Sequence, residues 1–187
     1  MANKVKYGLK NVHVFPISSY GADGTPTYGT AIKWPGAVSI TMDAVGEPEN
    51  FHADNGVYYV TNNNQGYEGD FESALVPDAV KLAVLNYVKD SKGVIVEDSG
   101  AELGHFGMAF QFEGDVTETN HVLYDCVMSR PGLASKTTEE TKEIQTETAK
   151  IKSIPLDSGY VKAYTTEETD ATVISNWYTT PQLPTIE

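Results

Sequence analysis

Residues 106–113, FGMAFQFE, and 121–128, HVLYDCVM, decide the fold. In an extended chain Phe106, Met108, Phe110 and Phe112 fall on one face, and Gly107, Ala109, Gln111 and Glu113 on the other. Val122, Tyr124, Cys126 and Met128 likewise share a face. The Gly114–Asp115 turn region lies between the two runs, so together they predict a β-hairpin with a loop of several residues. Its apolar faces need covering, which places it at the centre of the core.

Working outward, period-2 alternation predicts further strands at 11–17, 37–42, 57–61, 66–75, 146–154 and 160–165, with a short one at 94–97. Gly, Pro and the Asn62-Asn63-Asn64 run punctuate them. One helix is predicted over 77–88. Pro77 suits a first-turn position, Asp78 suits the positive helix end, and Val80, Val84, Tyr87 and Val88 form an apolar stripe. Many strands and one helix give a mainly β (α+β) fold: a β-sandwich or barrel flanked by a single α-helix, with long loops and terminal arms. The 187 residues suit a single domain.

Composition narrows function. Twenty-six acids against 13 bases leave a net charge of −13, which opposes a sequence-independent grip on nucleic-acid phosphates. The lone Cys126 permits no intrachain disulfide or Cys-based zinc site, and its alternating neighbours suit a buried thiol. The opening MANKVKYGLKNV has no apolar h-region, and no run of about 18 apolar residues follows, so neither a signal peptide nor a spanning helix is expected. Synthesis in the cytoplasm is the corresponding expectation.

No phosphate-cradling glycine motif and no nucleophile elbow occurs, and His13, His52, His105 and His121 are scattered. No cofactor, metal or catalytic residue is therefore expected. Glu68, Asp70 and Glu72 put three carboxylates on one strand face, opposite Tyr67, Gly69, Phe71 and Ser73. Neighbours on that face lie about 7 Å apart, and nothing else marks a sugar or phosphate pocket. A solvated face and a deliberately negative lining both fit the row. Tyr58 and Tyr59 beside an Asn/Gln cluster could stack on a sugar, though a strand and turn explain them equally well.

Two stretches read as loops, 43–56 (DAVGEPENFHADNG) and 131–147 (PGLASKTTEETKEIQTE). Loops beyond about 12–15 residues in a compact domain are usually functional or disordered, and two invite ordering against neighbouring subunits. Residues 1–10 and the tail after Trp177 read as arms that pack on neighbours or fray.

Four stretches carry a resemblance to a known family: NKVKYGLKNVHV (3–14), PGAVSITMDAVGE (35–47), FHADNGVYYVTNNNQGYEGDFESALVPD (51–78) and HVLYDCVMSRPGLASKTTEETKEIQTETAKI (121–151). Their order resembles the major tail (tail tube) proteins of long-tailed phages, the phi13-type family in particular. Residues 158–187 match only in length and in Trp177.

The resemblance implies a structural virion protein without enzymatic activity. Six copies would close into rings, and stacked rings would form the tail tube that conducts DNA during ejection. Its partners would be itself, the tail terminator, the tape measure and baseplate or tail-tip proteins, with DNA passing unbound and no membrane contact. Glu68, Asp70 and Glu72 become candidate lumen acids, since a negative channel would let a polyanion slide. Segments 1–10, 43–56 and 131–147 become candidate bridges between subunits. Within them Glu47, Asn50, His52 and Asp54 represent the first loop, and Lys136, Glu139, Glu140 and Lys142 the second. The alternative is a β-sandwich receptor-binding or decoration module on a virion surface.

Overall fold

The computed structural model describes residues 3–61, 63–137 and 143–184. The hairpin predicted from 106–128 is present as β10 (Phe106–Gly114) and β11 (Thr119–Met128). Around it lie β1 (Lys6–Tyr20), β2 (Pro26–Tyr28), β3 (Ile32–Lys33), β4 (Ala37–Val45), β7 (Gly66–Ser73), β12 (Glu147–Ile154) and β13 (Lys162–Tyr164). All nine strands belong to one antiparallel sheet in the order β2-β1-β10-β11-β12-β7-β4, with β13 on β11 and β3 on β1. The remaining strands pair only locally: β5 (Glu49–Ala53) with β6 (Gly56–Thr61), and β8 (Val88–Lys89) with β9 (Ile95–Val96). The chain is mainly β, as the alternation predicts. The sheet is not a closed barrel, because β4 approaches β1 without hydrogen-bonding to it.

Both faces of the central hairpin are buried, which simple alternation does not anticipate. On one face Phe106, Met108, Phe110, Cys126 and Met128 pack with Val14, Trp34, Phe71, Ile151 and the helix residues Val80 and Val84. On the other, Ala109, Val122 and Tyr124 pack with Phe15, Leu156 and Trp177. A bulge also separates side chains of β11 that alternation would put on one face. Phe106 sits opposite Cys126 but Met108 opposite Leu123, so β11 spends one extra residue there. The extra residue reverses which face each later side chain reaches. Val122 and Tyr124 therefore serve one core, while Cys126 and Met128 serve the other.

The predicted helix is shorter than 77–88: α1 spans Asp78–Val84. Asn86 adopts the left-handed conformation (φ 54°), and the N–H groups of Leu85 and Tyr87 both return to the Lys81 carbonyl. That is a Schellman-like end, with Asn tolerating the backbone angle. A second helix, α2 (Ala171–Asn176), was not expected. The Asp170 carboxylate accepts from the Thr172 N–H at its start.

The terminal segments differ from the arms read in the sequence. Residues 6–10 belong to β1, and the Asn3 side chain accepts from the N–H groups of Val116 and Thr117 at 3.0 and 2.9 Å. At the other end Trp177 seals the second core and donates from Nε1 to the His121 carbonyl at 3.2 Å. Tyr124 donates its hydroxyl to the Gln182 carbonyl at 3.0 Å, and Leu183 packs on the same core.

Candidate assembly surfaces

Segment 43–56, read as a loop, is instead the end of β4, a short connection and most of a projecting hairpin. The β4–β7 ribbon ends where Val45 faces Gly66 and the Gln65 N–H donates to the Val45 carbonyl. Gly46 (φ 118°) turns the chain outward beneath Asn63, where a Cβ would lie 1.8 Å from the Asn63 carbonyl oxygen. Only glycine fits that close approach. Beyond it β5 and β6 form a two-stranded ribbon. Asp54 and Asn55 close its tip with φ of 50° and 60°, the left-handed pair that a tight hairpin turn requires.

This ribbon holds apolar side chains with nothing over them. Phe51, Tyr58 and Tyr59 are 61, 74 and 62% exposed, and Val57 and Val60 are exposed beside them. Neighbours in a strand point to opposite sides, so the apolar surface lies on both faces. Phe51 and Tyr58 touch edge to face, with ring centroids 6.5 Å apart. No residue of the ribbon belongs to either core. An isolated two-stranded hairpin is marginal in water at best. Of the residues singled out in this segment, Asn50, His52 and Asp54 lie on the ribbon and Glu47 at its root, all exposed.

The carboxylate row lies on the outward face of β7. Glu68 and Asp70 are exposed and Glu72 is half-buried. On one side Asp43, Thr41 and Ser39 of β4 face Glu68, Asp70 and Glu72. On the other, Lys152 and Lys150 of β12 face Glu68 and Asp70. Cross-strand pairing thus sets two lysines of the same chain beside the acids, so the face alternates in charge rather than being uniformly negative. Glu72 accepts from the hydroxyls of Ser39 and Thr146, at 3.2 and 2.6 Å, and is held within the sheet. The lysines occupy alternate positions of β12, a pattern visible in the sequence whose register against β7 is not.

In the second long segment residues 131–137 and 143–146 have no regular structure, and Leu133 and Ile144 are fully or almost fully exposed. Lys136 approaches Glu143 at 3.4 Å. Glu139, Glu140 and Lys142 lie outside the described residues.

Two clusters escaped the sequence reading because their members are far apart in the chain. Asp125, almost wholly buried, accepts from the Tyr20 hydroxyl and meets His105 Nδ1, both at 2.7 Å. This knot ties β1 to β11; burial, with Asp125 beside it, pushes the Tyr20 phenol well above its usual range. The second cluster gathers Lys6, Lys162 and His121 at the gap between β1 and β4. Burial, aided by Lys6 and Lys162, pushes the His121 imidazole down to about 4, so it is neutral at pH 7.

No family model matches the chain, and no curated protein matches it. Among solved structures, it is similar to the tube terminating cap of the anti-feeding prophage, with a TM-score of 0.49 and 7% identity over 89% of this chain and 96% of that one. A likeness this slight defines no family.

Proposed function

We propose that this chain is a structural subunit of a phage tail tube, assembling with identical copies into six-membered rings that stack into a conduit for DNA. The observation that carries the reading is the β5–β6 ribbon, which presents Phe51, Tyr58 and Tyr59 to water on a hairpin too small to be stable alone. Soluble monomers rarely leave such a surface uncovered, and exposed apolar patches mark interaction sites. The nine-residue strand β4 adds a second reason, since its outer edge has no hydrogen-bonded strand among the described residues. Such an edge invites pairing with another chain, and a ring removes edges by making sheets continuous. The order of segments that resembles tail tube proteins points the same way.

On this reading the chain has no catalytic task and needs no cofactor. Its further partners are the tail terminator, the tape measure and the baseplate or tail-tip proteins. Glu68 and Asp70 face the channel and Lys150 and Lys152 moderate their field, while segments 43–56 and 131–147 join subunits. Negative-stain electron microscopy of the purified protein across a concentration series tests this. Rings or tubes appearing as concentration rises are expected; a monodisperse monomer at every concentration overturns it.

A second reading, a receptor-binding or decoration module, draws on the exposure of Tyr58 and Tyr59, because aromatic rings stack on sugars. Copy number separates the two: a tube subunit is present in hundreds of copies per particle and an adhesin in few. Glycan-array binding lost in Tyr58→Ser would favour the adhesin.

A further inference from the structure

The gap between β1 and β4 opens a cavity of about 190 Å³ that continues into a wider groove of about 490 Å³. Its walls are aromatic. His121 stacks on Phe110 (centroids 5.4 Å apart, planes at 9°) and on Tyr164 (5.8 Å, 29°). Two exposed ammonium groups stand at the rim. Lys6 Nζ lies 5.3 Å from the Phe112 centroid, and Lys162 Nζ lies 4.2 Å from that of Tyr67. Lys4 joins them at the open end. No lining residue is a carboxylate, and among the described residues no ion pair engages Lys6 or Lys162. Asp115, beside the open end, is already engaged and accepts from the Lys4 N–H at 2.8 Å. The ring faces soften but do not cancel the two charges. In a chain of net charge −13 this is a local positive spot with an aromatic floor.

The β5–β6 ribbon is its chemical complement. Residues 49–61 contain Glu49 and Asp54 and no lysine or arginine, together with the exposed Phe51, Tyr58 and Tyr59. In the folded chain the ribbon does not occupy its own cleft. No residue of 49–61 lines the cleft, and β5 and β6 pair only with each other. Donor and acceptor therefore lie at different places on one chain, which is the geometry of a head-to-tail contact.

We propose that the ribbon tip of one copy seats in the β1–β4 cleft of the next, with Asp54 between Lys6 and Lys162 and Tyr58 against the aromatic wall. The inference rests on the self-assembly reading above and names the surface that receives the ribbon. Opposite charges across the contact favour this partner over a random apolar one.

Two variants test it by complementation. Lys6→Glu/Lys162→Glu spoils the acceptor and keeps the ribbon; Asp54→Asn/Tyr58→Ser spoils the ribbon and keeps the acceptor. Each alone should need at least a hundredfold higher concentration than the unaltered chain to assemble, as read by sedimentation velocity. Mixed one to one they should form heterodimers and nothing larger, because each pair retains one working donor and one working acceptor, both already used. If the unaltered chain assembles and Lys6→Glu/Lys162→Glu assembles equally well, this inference falls and the proposed function stands. If the unaltered chain never assembles, both fall. Cross-linking covers the possibility of misfolded variants: a Tyr58→Cys chain mixed with a Lys162→Cys chain should give an intermolecular disulfide on mild oxidation, with Cys126 wholly buried and out of reach. Absence of that cross-link in assembled protein overturns the proposal.

Discussion

Replacing Phe51, Tyr58 and Tyr59 together by serine should separate folding from the proposed assembly. An aromatic side chain carries about 150–250 Å² of surface. At the exposures of 61, 74 and 62%, the three rings leave roughly 400 Å² in water. Complete coverage at about 25 cal/mol per Å² would be worth about 10 kcal/mol, and half coverage about 5. Five kcal/mol is between three and four powers of ten in dissociation constant, roughly the step from nanomolar to micromolar association. In the free subunit the same change removes only contacts within the ribbon, the Phe51–Tyr58 edge contact and the Phe51–Tyr59 cross-strand pair, each worth about 0.5–1.5 kcal/mol or less, because no ribbon residue reaches either core. The expected outcome is an unchanged main unfolding transition and a loss of assembly by at least a thousandfold in concentration. Calorimetry and sedimentation velocity on the same samples measure both. Assembly at the concentration that suffices for the unaltered chain would refute the reasoning. A main transition lowered by many degrees would refute it too, by showing that the ribbon belongs to the cooperative core.

Acid should weaken the fold through His121. Its imidazole ionises near 4 in the folded chain and near 6.5 when unfolded, so stability is level above about 6.5 and declines as pH falls toward 4, where only the unfolded chain takes up the proton. Allowing for partial exposure, the loss between pH 7 and 4.5 is on the order of 1–2 kcal/mol in urea unfolding, and His121→Gln should flatten that part of the profile. An unchanged slope in the variant would remove His121 from the account. Gly69→Ala would bring a Cβ within 1.8 Å of the Thr41 carbonyl oxygen, forcing β4 and β7 apart. A loss of at least about 2 kcal/mol is expected, and a change under about 0.5 would show that the ribbon yields freely. Glu68→Gln/Asp70→Asn should leave stability within about 0.5 kcal/mol, as surface changes usually do, and leave rings intact. If these acids line the channel, DNA release from particles carrying the variant should slow; release at the ordinary rate would assign them to the outer wall.

The central hairpin was legible because its alternation is strong and its residues are large: β10 and β11 fall where FGMAFQFE and HVLYDCVM place them. The second core was not. Which β11 side chains reach it depends on one extra residue between Leu123 and Cys126, and nothing in the sequence distinguishes a bulged strand from a regular one. The shortened helix left a trace in Asn86, a residue that tolerates the left-handed angle ending it. α2 left less, since Asp170 and Thr172 mark its start but no apolar stripe follows. Of the ribbon, β6 falls where the strand at 57–61 is predicted, while β5 reads as loop because it is polar and has no core to alternate toward. Of the candidate surfaces, the carboxylate row could be read from spacing within a single strand. Its lysine neighbours on β12, and the cleft gathered from residues 6, 67, 121 and 162, depend on register and on sheet curvature, which no local pattern encodes.

On the proposed assembly, Gly46 would govern more than a turn. In a head-to-tail series each subunit is rotated from the last by a fixed amount, and the number of members before closure is a full revolution divided by that rotation. If subunits join through the ribbon as proposed, the direction in which it departs would contribute directly to that rotation, and the direction is set where Gly46 passes under the Asn63 carbonyl. A few degrees of error there, repeated around the proposed ring, would separate a closed circle from an open spiral. Stoichiometry, a property of the whole particle, would then be held by the absence of a single methyl group.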